Sequence, residues 1–379
     1  MDQNQDTQTT ILSIVPSPLI PPVSKGQKHT YGLLDALGEI TKVVSITDTH
    51  STTAGHSFEL RPLIEHNIRK YLAFGNYKLL YRLIIRLKPK AILLEQPYMG
   101  LMVSLVSKKT KVPFSVHAHN VEFLRQKALG KWWWPMVFWL ERYTFRKAKY
   151  IFFISENDKN LAVKKYLISE QKCFVSPFGL GQTEPLVSSI DLVKKIRAKH
   201  NISAEDKVFM FFGDMKYLQN IVALELIINE IQPRIDEKFK GKDYKILICG
   251  GGLSEAYEKQ LKELESQNII YAGYIHDVDE YLQAADVVIN PIQHTGGIKI
   301  KVTEALGYNK PVVSTKTGAA GVVQNVCGNM LQVSEDNDWD NFTEKMYKMK
   351  DNKDSTPKVF FEKYNWKFIA SDLLNKLIP

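Results

Sequence analysis

The segment HTGGIKIKVTEALGYNKPVVST, residues 294–315, combines residue types that suit phosphate binding. Gly296 and Gly297 have no Cβ atom, so their backbone can turn tightly and approach a ligand closely. From about Ile298 the sequence predicts a helix, and a helix N-terminus presents unpaired N–H groups and a positive dipole end. Taken alone, a Gly-Gly pair near lysines is also common in ordinary surface turns.

Three charged side chains extend this pattern into the predicted helix. Lys299 and Lys301 add cations to the first turn, and Glu304 follows about one turn later, where a carboxylate can accept hydrogen bonds from paired sugar hydroxyls. The helix ends at Gly307, and its predicted apolar face consists of Val302, Ala305 and Leu306. The succession of strand, glycines, lysines, carboxylate and strand favours a site for a nucleoside diphosphate and its ribose.

Further candidate residues follow the other apolar runs of the sequence. Ligands of open parallel sheets bind beyond the carboxyl ends of the strands, so residues at these positions are candidates for ligand contact. They carry Gly26, His117, His119, Asn120, Glu122, Gly213, Asp214 and Lys216. His119 is interpreted as a site residue and His117 as a core histidine on the opposite face, although the pair can be reversed.

The size and composition of the chain indicate a globular protein with two cores. It has 379 residues, 44% of them hydrophobic and 24% charged, which suits two domains of ~150 to 200 residues. The polar start lacks the features of a signal peptide, and no apolar run approaches the ~18 residues of a membrane span, so a cytoplasmic location is expected. The three cysteines, without zinc-like spacing, are expected to be free thiols.

The positive charge is concentrated in the first half of the chain. The net charge is +9, and residues 61–150 carry 18 basic but only 4 acidic side chains. Such an excess attracts anionic lipid, phosphate or nucleic acid, or forms a solvated helical face. The stretch KALGKWWWPMVFWLERYTFRKAKY, residues 127–150, adds clustered indoles to these cations, which favours contact with a membrane interface. The alternative is that these aromatic residues fill a core.

Apolar runs alternate with longer amphipathic runs, which is typical of βαβ units and parallel sheets. One series of predicted strands runs from TILSIV to KCFVS and a second from KVFMFF to KPVVST. Between them lies a polar, turn-rich stretch, so the domain boundary is placed near Thr183. The prediction is an α/β protein with two Rossmann-like domains, residues 1–183 and 184–379.

The chain resembles the retaining glycosyltransferases of family 4, which have the GT-B fold. The segment EALGYNKPVVSTKTGAAGV is similar to the C-terminal signature of this family. The segments VPSPLIPPVSKGQKHTYGLLDAL, HNVE and ISENDK resemble signatures of its N-terminal domain. The resemblance implies two parallel sheets facing across a cleft, with a C-terminal helix that crosses back to the N-terminal domain.

The resemblance also implies roles for the candidate residues. Glu304 binds the ribose of the donor, and the helix start at Gly296, Gly297 and Ile298 holds the diphosphate. Gly26 and Gly213 lie near the donor, and His119 contacts the reacting sugar. Lys216, Lys299 and Lys301 neutralise the diphosphate leaving group, and Asn120 and Glu122 face the acceptor, unless Glu122 only caps the following helix.

This chain departs from the common family pattern at two positions. Gly296 replaces the first Glu of an E-x7-E pair, which places the chain nearer a subgroup reading G-G-T-R-L-K-x-x-E-A. Asn220 stands where a lysine is frequent, so Lys299 and Lys301 are expected to replace part of that charge. With lysines and a helix end available for the diphosphate, and no DxD cluster at a candidate site, the reaction is expected to need no metal or other cofactor.

The predicted function is transfer of a sugar from a nucleotide-sugar donor to a glycan or lipid-linked acceptor, in cell-surface polysaccharide or glycoconjugate biosynthesis. Peripheral contact with an anionic membrane fits the basic aromatic N-terminal domain. Two alternatives share the fold: a nucleotide-sugar 2-epimerase, and a non-catalytic relative that binds a sugar nucleotide. Nucleic-acid binding explains the charge but not the ordered glycines and Glu304, so no nucleic-acid partner is expected.

Overall fold

The computed structural model describes residues 10–52, 55–65, 74–240, 242–264, 268–293 and 300–378. The chain divides into two compact units. Unit 1 comprises Met1–Gly179 and Tyr364–Pro379, and unit 2 comprises Leu180–Lys363. The division falls a few residues before the predicted boundary at Thr183.

Unit 1 is built on a parallel sheet of seven strands in the order β3-β2-β1-β4-β5-β6-β7. The strands are β1 (Thr10–Val15), β2 (Lys42–Asp48), β3 (Glu59–Ile64), β4 (Ala91–Glu95), β5 (Phe114–Ala118), β6 (Ile151–Phe153) and β7 (Cys173–Val175). The helices that follow them are α1 (Lys25–Ile40), α2 (Phe74–Leu87), α3 (Gly100–Thr110), α4 (Glu122–Ala128), α5 (Trp134–Lys147) and α6 (Glu156–Tyr166). The central strands are apolar and buried on both faces, as a sheet covered by helices requires.

Unit 2 is built on a parallel sheet of six strands in the order β10-β9-β8-β11-β12-β13. The strands are β8 (Lys207–Phe212), β9 (Tyr244–Cys249), β10 (Ile269–Gly273), β11 (Val287–Asn290), β12 (Val312–Thr315) and β13 (Leu331–Ser334). The helices are α7 (Ile190–Lys199), α8 (Leu218–Leu226), α9 (Gln232–Phe239), α10 (Glu255–Glu263), α11 (Val278–Ala284), α12 (Ile300–Gly307), α13 (Trp339–Met349) and α14 (Lys358–Tyr364). The predicted pair of Rossmann-like parallel sheets is thus confirmed.

The last helix, α15 (Trp366–Leu377), belongs to unit 1 and packs against α1. The indole of Trp366 lies directly on the backbone of Gly32 and Gly179. A Cβ atom would come within 2.5 Å of that indole at Gly32 and within 2.3 Å at Gly179. Any larger residue at either position would therefore displace the start of α15.

The tryptophan stretch before α5 is split between the core and the surface. Trp133 and Trp134 are partly buried and pack against the core of unit 1. Trp132 is 83% exposed, and Met136 and Trp139 in α5 are 67% and 63% exposed. Trp133 and Trp134 therefore fit the alternative that the aromatic residues pack on a core, whereas Trp132 is exposed. Across the described ranges, no helix has the length and apolar character needed to cross a membrane.

Candidate functional site

Each sheet has one point at which the order of its strands reverses. In unit 1 it lies between β1 and β4, and in unit 2 between β8 and β11. The loops after these strand pairs diverge to opposite faces of the sheet and leave a crevice at the carboxyl edge, where open α/β sheets bind ligands. The candidate residues of each unit are found around its own reversal point.

In unit 2, glycines bring the loops after β8 and β9 into close contact. The Gly213 N–H donates to the carbonyl of Cys249 (2.9 Å). Gly250 has a φ of +144°, and a Cβ atom there would lie 1.8 Å from the carbonyl oxygen of Gly213. Gly252 has a φ of +104°, in a conformation that other residues rarely adopt. These glycines allow two backbone segments to line the crevice.

Lys301 places its ammonium group beside the same β8 loop. Its Nζ donates to Oδ1 of Asn220 (3.0 Å) and lies 4.3 Å from the ring centroid of Phe211. The Nδ2 of Asn220 donates in turn to the carbonyl of Asp214 (2.7 Å). The Lys301 side chain is buried, so the structure holds a cation in a defined position at the reversal point. Lys216 extends the loop and is exposed.

The helix α12 has the orientation that the sequence predicts. It ends at Gly307, and its predicted apolar face, Val302, Ala305 and Leu306, is buried. Glu304 lies on the partly exposed side of the helix. The remaining predictions for this segment, Gly296, Gly297, Ile298 and Lys299, fall on residues 294–299, which lie outside the described part of the chain.

A second polar network fixes the GAAG loop, residues 318–321, at the same edge of unit 2. The Nδ2 of Asn290, the last residue of β11, donates to the carbonyl of Gly318 (2.8 Å) and to Oγ of Ser314 (3.1 Å). The Gly318 N–H donates to Oγ1 of Thr315 (2.9 Å). This network holds the loop after β12 next to the end of β11.

In unit 1, a buried carboxylate lies at the reversal point. Glu95 ends β4, and its Oε2 lies 3.0 Å from Nδ1 of His117 and 3.0 Å from Nε2 of His119. The hydroxyl of Thr30 donates to the same oxygen (3.2 Å). Helix α1 and the carboxyl ends of β4 and β5 thus contribute to one hydrogen-bonded cluster.

His29 extends this cluster from the first turns of α1. Its Nε2 lies 3.0 Å from Nε2 of His117, and its ring packs between Phe178 and Trp366, with centroid distances of 5.2 and 5.3 Å. One ring nitrogen from each of His29, His117 and His119 lies within 4.8 Å of the others, a separation at which three imidazoles can hold a metal ion.

The electrostatics of the cluster favour an ionised Glu95 and oppose protonation of His29 and His119. Burial alone would raise the pKa of the Glu95 carboxyl, but the charge and hydrogen bonds of His117 and His119 outweigh this effect and lower that pKa to about 2. Burial lowers the pKa of His29 well below its usual value, and the neighbouring imidazoles lower it further. Burial also lowers the pKa of His119, although its hydrogen bond to Glu95 opposes the shift.

The expectation that His117 and His119 face opposite ways is wrong. Both rings contact Glu95, and their centroids are 4.9 Å apart. Residues two apart in a strand share a face, so both side chains can reach the same carboxylate from the end of β5. A Cβ atom on Gly26 would lie 3.5 Å from Nδ1 of His119, so Gly26 lies next to the nitrogen that faces away from Glu95.

Asn120 and Glu122 are bonded to each other and to nearby side chains. The buried Glu122 carboxylate accepts hydrogen bonds from Asn120 Nδ2 (3.2 Å), Tyr98 OH (2.7 Å) and Arg125 Nε (2.8 Å). The cap of α4 is instead Glu141 of α5, which accepts the N–H groups of Glu122 (2.8 Å) and Phe123 (2.9 Å). The alternative reading of Glu122 as the helix cap is therefore wrong.

Sequence reasoning missed two members of the unit 1 cluster, His29 and Glu95. The sequence could have indicated Glu95 as a candidate, because this carboxylate ends the apolar run AILLE at a strand terminus. His29 lies inside α1, five residues after its N-cap Ser24, and the sequence alone does not distinguish it from a surface residue.

Comparison with protein families and known proteins agrees with this architecture. The family model Glycosyltransferase Family 4 matches residues 27–180, and the model Glycosyl transferases group 1 matches residues 206–352. The chain is similar to the UDP-N-acetylglucosamine–N-acetylmuramyl-(pentapeptide) pyrophosphoryl-undecaprenol N-acetylglucosamine transferase of Caldicellulosiruptor saccharolyticus, at 23% identity over 67% of this chain. It is also similar to an uncharacterized 44.6 kDa protein in the cps region of Klebsiella pneumoniae, at 25% identity over 64% of this chain. The chain spans 60% of the length of each of these relatives.

Solved structures share the fold over nearly the whole chain. A glycosyltransferase from Rickettsia africae superimposes with a TM-score of 0.70 at 15% identity, covering 98% of both chains. Anabaena HepE in complex with UDP superimposes with a TM-score of 0.66 at 13% identity, covering 97% of this chain and 99% of that one. Since the two family models match the two units in order, and the fold is that of known glycosyltransferases, the chain belongs to the family 4, group 1 glycosyltransferases of the GT-B fold.

Proposed function

We propose that this protein is a retaining glycosyltransferase that moves a sugar from a nucleoside diphosphate sugar to a glycan or lipid-linked acceptor. The observation that carries the proposal is the Lys301 ammonium, held beside Asn220 at the reversal point of unit 2. A buried cation in a glycine-lined crevice suits a diphosphate, because charge develops on that group as the glycosidic bond breaks.

The donor in this proposal is a UDP-sugar. Anabaena HepE has the same fold and is described in complexes with UDP and with UDP-glucose, and the Caldicellulosiruptor relative is named for a UDP-sugar donor. Lys301 and Lys216 would bind the diphosphate, and Glu304, on the accessible side of α12, would bind the ribose hydroxyls. Gly296, Gly297, Ile298 and Lys299 are proposed to complete the diphosphate site.

The reaction is proposed to need no divalent metal. Lys301 and Lys216 can neutralise the departing diphosphate without a bound metal ion. A chelator such as EDTA does not remove the charge of a lysine side chain. Turnover should therefore persist after dialysis against EDTA.

In unit 1, His119 is proposed to contact the transferred sugar next to Gly26, and Asn120 and Glu122 to shape the acceptor side. The surface formed by Trp132, Met136 and Trp139 is proposed to bind an anionic membrane. Arg142 lies over the Trp139 ring at 5.5 Å, so an exposed indole and a cation occur together, as at membrane interfaces. A lipid-linked acceptor in cell-surface polysaccharide synthesis would fit this location.

The test is consumption of nucleotide sugars by the purified protein, with and without a membrane extract as the source of acceptor. UDP should bind by calorimetry, and UDP release from one UDP-sugar should rise when the extract is added. NMR of the product should show the anomeric configuration of the donor. Formation of an epimeric sugar nucleotide without acceptor would indicate an epimerase, and UDP binding without turnover would indicate a non-catalytic relative; either result refutes the proposal.

A further inference from the structure

Glu95 is the only carboxylate among the described residues that contacts both His117 and His119, and it occupies the centre of the unit 1 cluster. It is buried and accepts three hydrogen bonds, two from imidazoles and one from Thr30. An ionised carboxylate can only accept hydrogen bonds, so each imidazole nitrogen that faces Glu95 must carry a proton. The position of Glu95 therefore determines the tautomers of both histidines.

The consequence for His119 is a free acceptor at its other nitrogen. Its Nε2 faces Glu95 and carries the proton, so in the neutral ring Nδ1 has a lone pair. That nitrogen lies next to Gly26, an exposed residue without a side chain, and 10% of the His119 side chain is accessible. A ligand group that contacts Nδ1 must therefore be a donor, such as a hydroxyl.

We propose that Glu95 is a positioning residue that holds His119 in its Nε2–H tautomer, so that Nδ1 accepts a hydrogen bond from a hydroxyl of the transferred sugar. The inference rests on the proposed function, because the ligand in question is the sugar of the donor. It makes the recognition selective: a donor in which fluorine or hydrogen replaces that hydroxyl cannot form the bond.

The requirement that Glu95 only accepts hydrogen bonds also determines the contact between His117 and His29. His117 donates from Nδ1 to Glu95, so when its ring is neutral its Nε2 accepts a hydrogen bond from the Nε2–H of His29. Each of these contacts then has one donor and one acceptor, and the closeness of the three rings is explained by hydrogen bonds. A metal ion would require the His117 Nε2 and His29 Nε2 lone pairs to point at one centre. Hydrogen-bonded rings therefore predict a metal-free protein, whereas coordinating rings predict a bound metal ion.

The backbone after Glu95 supports a positional role. Gln96 has φ +65° and ψ +151°, a conformation that is strained for any residue with a Cβ atom. The Gln96 N–H donates to the carbonyl of His117 (2.9 Å), so this strained residue links the end of β4 to the end of β5. Strain of this kind persists where the surroundings demand one fixed geometry.

The first experiment measures the tautomers directly by NMR of protein labelled with ¹⁵N in its histidine rings, with His119→Asn to assign the signals. The wild type should show His119 as the Nε2–H tautomer. In Glu95→Gln the amide accepts one hydrogen bond and donates another, so His117 or His119 should change tautomer. Glu141→Gln is the matched control: it neutralises another buried carboxylate of unit 1, whose hydrogen bonds go to Glu122, Phe123 and Tyr166, and should leave the His119 signal unchanged.

The second experiment uses UDP-sugar donors that lack one hydroxyl, as deoxy or fluoro analogues. One analogue should lower kcat/KM of the wild type by ~10- to 100-fold, the usual loss for one unmade hydrogen bond in a site. Glu95→Gln should lower kcat/KM for the complete donor by a similar factor and should no longer discriminate against that analogue. The Kd for UDP should stay unchanged in the variant, because UDP lacks the sugar.

An Nδ1–H tautomer of His119 in the wild type, or one equivalent of tightly bound zinc in the purified protein, would overturn the assignment. Undiminished discrimination between donor and analogue in Glu95→Gln would overturn the positional role. Failure of the proposed function gives a different result, because the wild type would then not bind UDP. In that case the sugar is no longer the proposed partner of His119 Nδ1, but the NMR experiment still determines the tautomer of His119.

Discussion

The Nζ of Lys301 lies 3.0 Å from Oδ1 of Asn220 and 4.3 Å from the ring centroid of Phe211, so an amide oxygen and an aromatic ring both contact this cation of unit 2. Asn220 is anchored to the carbonyl of Asp214, which places the whole arrangement on the loop after β8. A family relative with lysine at position 220 would carry its charge on α8. Here α12 supplies the charge to the same loop, and the asparagine orients it.

Lys301→Met should therefore weaken UDP binding but not uridine binding. Methionine fills similar space without charge, so the expected loss is that of a charge-assisted hydrogen bond, about 2 kcal/mol. Calorimetry with UDP and uridine is the measurement. The exposed Lys216→Met serves as the comparison and should have a smaller effect. An equal loss for uridine would assign Lys301 a structural role instead.

Glu304→Ala should reduce the affinity for UDP and for uridine alike, because its proposed partners are the ribose hydroxyls. The expected loss is about 1.5 to 3 kcal/mol for hydrogen bonds to a charged group. The sharper measurement compares UDP with 2′-deoxy-UDP: the wild type should prefer UDP, and Glu304→Ala should bind both equally. A variant that keeps the wild-type preference would remove Glu304 from the ribose site.

The sequence predicts the strands of both sheets except β3 and β13, and the exceptions have a common cause. Both lie at a sheet edge. Edge strands are packed on one side only, and β3, with the sequence ELRPLI, and β13, with LQVS, lack the continuous apolar character of the central strands. Apolar runs also identify the edge strands β7 and β10, so this reasoning misses only those edge strands whose sequences are more polar.

The candidate site was predicted unevenly for a related reason. Lys301 and Glu304 belong to one helix, α12, whose apolar face the sequence predicts, so their places on that helix follow from the local pattern. The cluster of His29, Glu95 and His117 joins three distant parts of the chain, and no local pattern indicates that their side chains meet. Only the general rule about strand ends pointed to that edge of the sheet.

Replacing Trp132 and Trp139 together by serine should abolish binding to vesicles with anionic lipid and leave stability nearly unchanged. Both indoles are mostly exposed, and surface substitutions typically change stability by about 0.5 kcal/mol or less. Vesicle sedimentation at low and high salt is the measurement, since the attraction between cations and lipid is screened beyond ~8 Å at physiological ionic strength.

Trp134→Ser is the control for that experiment. Trp134 packs against the core and lies under Lys127 at 5.1 Å, so its loss should lower the melting temperature. Equal sedimentation of the wild type and the double variant with anionic and neutral vesicles would contradict membrane binding and favour a soluble acceptor.

Stability should fall as the pH is lowered from about 7 to 5, and His29→Gln should reduce this dependence. The pKa of His29 is depressed in the folded protein, where the ring faces His117 and His119, whereas the unfolded chain titrates near pH 6.5. Below about 6.5 the unfolded state binds the additional proton, so stability present above that pH is lost at up to about 1.4 kcal/mol per pH unit.

Melting temperatures from pH 5 to 8 are the measurement for His29. Glu95 acts in a separate window: its folded pKa of about 2 means that its contribution is lost only as the pH falls below about 4.5. Identical pH profiles of the wild type and His29→Gln above pH 5 would contradict the neutral, buried state of His29.

Gln96→Gly should stabilise unit 1 and at the same time slow the enzyme. The backbone of Gln96, at φ +65° and ψ +151°, is costly for a residue with a Cβ atom by about 1 to 3 kcal/mol, and glycine adopts it without strain. Glycine loses more chain entropy on folding, about 0.5 to 1 kcal/mol, so a net gain of about 1 kcal/mol is expected.

Gln96→Ala is the matched control, because it removes the side chain and keeps the Cβ atom. If the strain serves to hold Glu95 in position, the glycine variant should melt at a higher temperature than the alanine variant yet turn over the donor more slowly. An alanine variant as stable as the glycine variant would show that the backbone at Gln96 stores no strain.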